Sequence, residues 1–158
     1  MQVNNTTWIS SLPGTTVFVV AKADALIGTQ PLTISDVGDF GIVYQGSRWT
    51  IKHTGATATS TIAGDTQKFH LFPFIFNGTG ATNQDKCKFR YDGVENKLTF
   101  SGNIATTSNA NNRQLNYGWD GLSTYFKGYI AEAIVLRIAA SPTTLSGIEN
   151  YLKTKYTI

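Results

Sequence analysis

Charge is scarce in this sequence. Asp, Glu, Lys and Arg make up 15% of its 158 residues, against roughly 25% in a typical soluble domain. Thirteen Lys and Arg against ten Asp and Glu leave a net +3, too weak and too scattered for the basic stripe that grips a phosphate backbone. The tightest basic set, Lys86, Lys88 and Arg90, alternates with Cys87, Phe89 and Tyr91. That is the period-two pattern of a half-buried strand with a solvated charged face, so nucleic acid is not an expected partner. The lone cysteine, Cys87, excludes an internal disulfide and any multi-cysteine metal site. Its place on the apolar side of the strand predicts a buried, inert thiol. No apolar run approaches the roughly 20 residues that span a bilayer, so membrane insertion is not expected. Residues 1–11 are polar and the apolar run 17–21 is short, so no secretory signal is read. The chain is then kept where it is made, exported without such a signal, or a piece of something longer.

What replaces charge is Thr, Asn, Gly and Ser, together with 41% apolar and 12% aromatic residues. That is ample material for a core, and the length suits one domain over residues 1–158. Turn-forming clusters cut the chain into short extended segments. Residues 15–22 contain the unbroken run Val17-Phe18-Val19-Val20-Ala21 and predict a strand covered on both faces. Residues 40–45 and 48–53 read as two strands joined at Gly46. Residues 68–76 place Phe72, Phe74 and Phe76 on one face and Leu71, Pro73 and Ile75 on the other. Because Pro73 has no N–H to donate, that strand is expected at a sheet edge or with a bulge. Residues 87–100 predict a hairpin about Asp92-Gly93, the pair that a two-residue type I′ turn favours. Residues 103–112 read as a polar loop and 115–119 as a further short strand.

Residues 126–138 predict an interior strand, with Ile130, Ile134, Leu136 and Ile138 on one face and Tyr129, Ala131, Ala133 and Val135 on the other. Glu132 interrupts the first face, and a bond to backbone or to a Lys is the expected reason for a carboxylate there. A helix then starts after Ser141, a good N-cap, with Pro142 at its first position. Leu145, Ile148, Leu152 and Tyr156 form its apolar stripe, and Gly147 inside it is read as a point of close packing. Many short strands and one terminal helix predict an all-β, two-sheet antiparallel sandwich of jelly-roll type with one C-terminal α-helix.

Three stretches resemble the concanavalin A-like lectin/glucanase superfamily, in its laminin-G-like branch of bacterial and phage proteins. They are TVFVVAKA at 16–23; residues 69–100, with FNGT at 76–79 and KFRYDGVE at 88–95; and GYIAEA at 128–133 with IENYLKTKY at 148–156. The resemblance covers nearly the whole chain. It departs at residues 1–13, where only Trp8-Ile9 stands in place of the expected first strand, which implies a truncated or altered one.

The glucanases of that superfamily set their carboxylates on one strand as E-x-D-x-E, whereas Glu95, Glu132 and Glu149 here stand in no such pattern. Glycoside hydrolysis needs two carboxyl groups flanking the sugar bond, so no catalytic residue is assigned and the chain is not read as an enzyme. His53 and His70 lie within strand-like runs without an evident triad partner, and no Gly-x-Ser-x-Gly elbow occurs. No metal or cofactor is assigned. A structural calcium held by Asp36 and Asp39, or by Asp120, is weighed and not adopted, since Asp and Asn also serve as turn formers.

Sugar recognition combines aromatic faces with amide, carboxylate and guanidinium groups. Arg113, Asn116, Tyr117, Trp119, Asp120 and Tyr125 concentrate such groups in one loop-rich stretch, with Trp49 as a further candidate. The expected function is a non-enzymatic surface module, a decoration, fibre or assembly domain of a phage virion that takes host-surface glycans. The expected partners are glycans or other virion and surface proteins, with self-association into a homo-oligomer, at a virion surface or outside the cell. The alternatives are a carbohydrate-binding module or lectin of a secreted multidomain protein, and a degenerate glycoside hydrolase.

Overall fold

The computed structural model describes residues 2–4, 11–35, 40–108, 114–118 and 123–158. Among them, in chain order, are β1 (Gln2–Asn4), β2 (Gly14–Ala23), β3 (Gln30–Ser35), β4 (Phe40–Gln45), β5 (Arg48–His53), β6 (Ala56–Ser60) and β7 (His70–Asn77). There follow α1 (Asn83–Lys86), β8 (Cys87–Tyr91), β9 (Val94–Asn96), β10 (Leu98–Ser101), β11 (Gln114–Tyr117), β12 (Gly128–Leu136) and α2 (Pro142–Tyr156). Two antiparallel sheets face each other. One has seven strands in the order β1-β11-β3-β4-β5-β6-β10, the other five in the order β12-β2-β7-β8-β9.

The two-sided burial predicted for residues 17–21 is explained by this layering. Val17, Val19 and Ala21 point into the sandwich with Phe72, Phe74, Phe76, Cys87 and Phe89, against Leu32, Ile42, Trp49 and Ile51 of the other sheet. Phe18 and Val20 point outward with Leu71, where Leu152 of α2 covers them, flanked by Leu145, Ile148 and Tyr156. The helix begins where sequence chemistry places it. Ser141 Oγ accepts the Thr144 N–H, Pro142 fills the first turn, and Thr157 ends the helix in the left-handed region.

The turns follow their residues as well. Gly46 and Ser47, and Asp92 and Gly93, all adopt positive φ, as two-residue type I′ connections require. The second hairpin is shorter than expected. β9 pairs with β8, but from Leu98 onward the chain pairs with β6 in the other sheet. Lys97 is thus the residue at which the chain changes layer. The sequence reading also lacks β1, β3, β6 and α1; a Thr82–Asp85 capping box starts α1.

Three expectations are corrected. Pro73 lies in a central strand, between β2 and β8, with an unbroken register against β2. The Leu71 N–H and C=O point to the β8 side, where they meet the Asp92 carboxylate and the Asp92 N–H. Pro73, two residues on, therefore turns its missing donor to that same side, and the β7–β8 ladder indeed runs only from Phe74 onward. Among the described residues the long apolar strand β12 is an edge, paired with β2. Its side chains Ile130 and Ala133 to Leu136 are partly buried, some against the central core and some against α2, while Tyr129 stays exposed. A bulge between Ile130 and Glu132 also shifts its faces. Ile130, Ala133 and Val135 pack on the central core, while Ile134 and Leu136 pack toward α2.

Gly147, finally, is not a close contact, because a Cβ there would meet nothing within 4 Å. Gly147→Ala is therefore expected to stabilise the protein by about 1 kcal/mol through helix propensity. A rise in the urea midpoint at unchanged slope is the measurement that checks it.

Candidate functional site

At the end of the sandwich where β2 leaves the sheet, the connection 24–29 meets the segment 123–127. Their approach depends on one glycine. Gly128 has φ 154°, and a Cβ on it would lie 2.1 Å from the Lys22 carbonyl oxygen, so only glycine lets β12 start against the end of β2. Hydrogen bonds then fasten the two segments. The Asp24 N–H donates to the Lys127 carbonyl at 2.8 Å. Buried Gln30 donates through Nε2 to the Ile27 carbonyl at 2.8 Å and accepts the Lys127 N–H at 3.3 Å. Phe126 N–H reaches the Gly118 carbonyl, and Gly118 N–H reaches that of Leu32.

This framework displays Tyr125 and Ile27, 60% and 61% exposed, over a shallow cleft of about 340 Å³ that Gln30, Ser123, Thr124 and Lys127 also line. A second cleft of about 330 Å³ is lined by Tyr117, Gly118, Phe126, Gly128 and Ile130. An exposed ring beside hydroxyl, amide and ammonium groups can stack on an apolar sugar face and read its hydroxyls.

The residues read from the sequence divide among three places. Tyr125 is on the surface as required. Tyr117 lines the second cleft but is mostly buried, and burial pushes its hydroxyl up to about 12. Asn116 is buried, its Oδ1 without a hydrogen-bond partner. Trp49 is corrected outright as a surface candidate. It is 2% exposed, with its ring centroid 4.5 Å from that of Phe72 and 5.3 Å from that of Tyr44, so neither face is open to a ligand. Arg113, Trp119 and Asp120 lie outside the described residues, as do Asp36 and Asp39 of the calcium reading and Trp8-Ile9. Ile27, Gln30 and Lys127 were not singled out. An isoleucine in a turn beside Gly28 was the available signal for the first; the role of Gln30 depends on a contact 97 residues away in the chain.

Several carboxylates of the described residues are engaged elsewhere. Glu132 accepts from Lys155 Nζ and Tyr156 Oη, each at 2.9 Å, and the Lys155 contact foremost holds it below the usual carboxylate range. This is the Lys bond expected for it. Glu149 is buried in a bidentate pair with Arg90 (2.6 and 3.0 Å). Asp85 and Glu95 line a third cleft, of about 300 Å³, with Lys88 and Arg90. Hydrogen bonds from Thr82 hold the Asp85 carboxyl low. Asp65 and Asp92 are also held low, their bonds to backbone N–H groups and to His70 outweighing the cost of desolvation. Among the described residues, Asp65, Asp85, Asp92 and Glu132 are thus all held low, whereas a general acid at neutral pH needs a carboxyl moved up. Among the described residues, no group of three or more His, Cys, Asp or Glu is arranged to hold a metal ion. Burial pushes the Cys87 thiol up, as expected of an inert core residue. No described helix is long and apolar enough to cross a membrane.

No protein-family model matches this sequence, and no curated protein matches it. Solved structures do. A Bacteroides ovatus protein to which carbohydrate binding is ascribed superposes with TM-score 0.67 at 13% identity, over 86% of this chain and 40% of its own. A heptameric SAP-like pentraxin from Limulus polyphemus gives TM-score 0.66 at 9% identity, over 89% and 71%. A Trypanosoma rangeli sialidase in complex with the inhibitor DANA gives 0.63 at 13%, over 86% and 22%. The chain therefore spans about two fifths of the first of these proteins and about a fifth of the sialidase. At these identities the likeness is one of fold: the protein is a two-sheet antiparallel β-sandwich with one C-terminal helix.

Proposed function

We propose that this chain is a non-enzymatic glycan-binding surface module. The observation that carries the reading is Tyr125, an exposed ring over a shallow, largely apolar cleft that Gln30, Thr124 and Lys127 also line, on a segment that Gln30 and Asp24 fasten at its base. The low-held carboxyl groups of Asp65, Asp85, Asp92 and Glu132 support binding without hydrolysis. A glycan array tests the proposal, and binding to no sugar would sink it. With a binder identified, Tyr125→Ala is expected to weaken binding about tenfold, the scale of one lost aromatic contact. The thermal midpoint of the variant, read alongside, tells a loss of binding from a loss of fold. Arg113, Tyr117, Trp119 and Asp120 belong to the same proposal and are tested by substitution in the same assay; Asn116, as deeply buried as Trp49, does not.

The setting we favour is the surface of a phage virion, as a decoration, fibre or assembly domain. Low charge and Thr- and Asn-rich loops support that reading, and mass spectrometry of purified particles tests it. A carbohydrate-binding module of a secreted multidomain protein is the second reading. It is favoured by the fraction, 40% and 22%, that this chain spans of two of the structures it matches. Structural genes of a virion beside the coding sequence would decide between the two.

A further inference from the structure

We propose that His70 is a proton-operated clasp on the candidate glycan surface. As an imidazolium it ties the connection 61–69 to the Asp92 turn, and through that connection it steadies the 24–30 wall of the cleft. The ligand-related part rests on the reading of that cleft as the binding surface; the clasp itself does not.

His70 is almost fully buried at the mouth of the sandwich, and both of its ring nitrogens face carboxylates. Nδ1 is 2.8 Å from Asp92 Oδ2 and Nε2 is 2.9 Å from Asp65 Oδ2. The first contact is a hydrogen bond; the second is an ion pair without ideal hydrogen-bond alignment. Tyr91 stacks on the ring at 4.6 Å, and Phe72 meets it edge-on. The other charged groups nearby are Lys68, 3.8 Å from Asp92, and Lys153, whose Nζ donates to the Asp92 carbonyl. Burial by itself would lower the imidazole's affinity for its proton, but the Asp92 and Asp65 bonds outweigh it and hold His70 above its ordinary value.

Two carboxylates need two N–H donors, and a neutral imidazole has one. Deprotonation therefore leaves a ring lone pair facing a carboxylate oxygen, and one of the two ties must open. Asp92 keeps other donors, because its Oδ1 accepts the Leu71 N–H at 2.9 Å and Lys68 stands nearby. Asp65 is 41% exposed, and its other bonds among the described residues lie within its own loop, to the Gln67 and Lys68 backbone. Asp65 is the tie that opens.

What it releases adjoins the cleft. The backbone of Gly64 lies so close under Leu26 and Tyr44 that an added Cβ would come within 2.3 Å of Leu26 Cδ1 and 2.9 Å of Tyr44 Cε2. Ile62 accepts the Trp49 N–H. Leu26 directly precedes Ile27, Gly28, Thr29 and Gln30, which form one side of the cleft. Loss of the Asp65 tie thus loosens the support of that side. A group whose folded-state affinity for its proton is raised contributes its stability below its unfolded pKa, about 6.5, and loses it as pH rises through the folded value.

Amide hydrogen exchange of the ligand-free protein, corrected for intrinsic rates, tests this between about pH 6 and about pH 9, a window that brackets the change in His charge. Exchange in both 61–69 and 24–30 should rise roughly tenfold across it, the scale of one charge-assisted bond. In Asp65→Asn both segments should already exchange fast at the lower pH and stay level. No rise in the wild type overturns the clasp, and so does an equal rise in Asp65→Asn. A rise confined to 61–69 overturns the coupling to the cleft. If Asp65→Asn does not fold, the wild-type His70 ring nitrogen shifts must titrate together with the exchange; a different midpoint refutes the proposal. Since no glycan is present, a failed array and a failed clasp are told apart.

Discussion

Arg90→Ala is expected to destabilise the protein by about 3 kcal/mol, because it leaves a buried carboxylate without its counterion. Glu149 is 4% exposed, on the side of α2 that faces the sheet, and Arg90 of β8 meets it with Nε and Nη2 together. The same guanidinium donates to the Gly93 carbonyl in the turn beyond. One side chain therefore fastens the helix to the β8–β9 hairpin, alongside the apolar stripe. Lys153, one helical turn beyond Glu149, is no ready substitute, since its Nζ is engaged by the Asp92 carbonyl. The loss in the single variant reflects an uncompensated charge more than the worth of the pair. Arg90→Met combined with Glu149→Leu should accordingly return to within about 1 kcal/mol of the wild type. Urea unfolding of the two variants checks both halves. Equal losses in the single and the double variant would count against a desolvated charge as the cause.

Elements whose cause is local were legible in the sequence. Ser141-Pro142 marks the start of α2, Asp92-Gly93 and Gly46 mark their turns, and the unbroken run 17–21 announces a strand with two covered faces. Position within a sheet was not legible, because hydrophobicity reports which faces are covered and says nothing of which ladders are filled. β12 looked interior for that reason, being apolar on both faces while the described residues fill one of its ladders. Pro73 misled in the opposite direction. Its missing N–H does end a ladder, but within a central strand, where the Asp92 carboxylate takes the Leu71 N–H that lies past the break. At the candidate site the sequence could propose residue types and could not sort them by exposure. Trp49 and Tyr125 are equally plausible platforms on paper, yet one is sealed between Tyr44 and Phe72 and the other stands in solvent. Gln30 and the His70 clasp were beyond reach, because each is made by contacts between segments that only the fold brings together.

Acid should weaken this protein well before its carboxylates protonate, and His53 is the reason. Its side chain is fully buried at the end of β5, 4.2 Å from the Phe76 ring. Burial, with a lesser contribution from the charge of Lys86, lowers its pKa to about 4. A histidine depressed in the folded state contributes stability that is complete above its unfolded pKa, about 6.5, and is lost as pH falls toward the folded value. The difference of roughly 2.5 units corresponds to about 3 kcal/mol, most of it gone by pH ~4. His70 runs the other way: its ion pairs persist through this range and yield only when Asp65 and Asp92 protonate, below their ordinary values. The acid side is therefore governed by His53 and the alkaline side by His70, with greatest stability between them. His53→Leu isolates the acid term. The packing change costs the same at every pH, whereas the loss of stability on going from about pH 7 to about pH 4 should shrink by about 3 kcal/mol relative to the wild type. Urea midpoints at the two pH values give that difference of differences. An unchanged acid sensitivity in His53→Leu would place the labile proton site elsewhere in the fold.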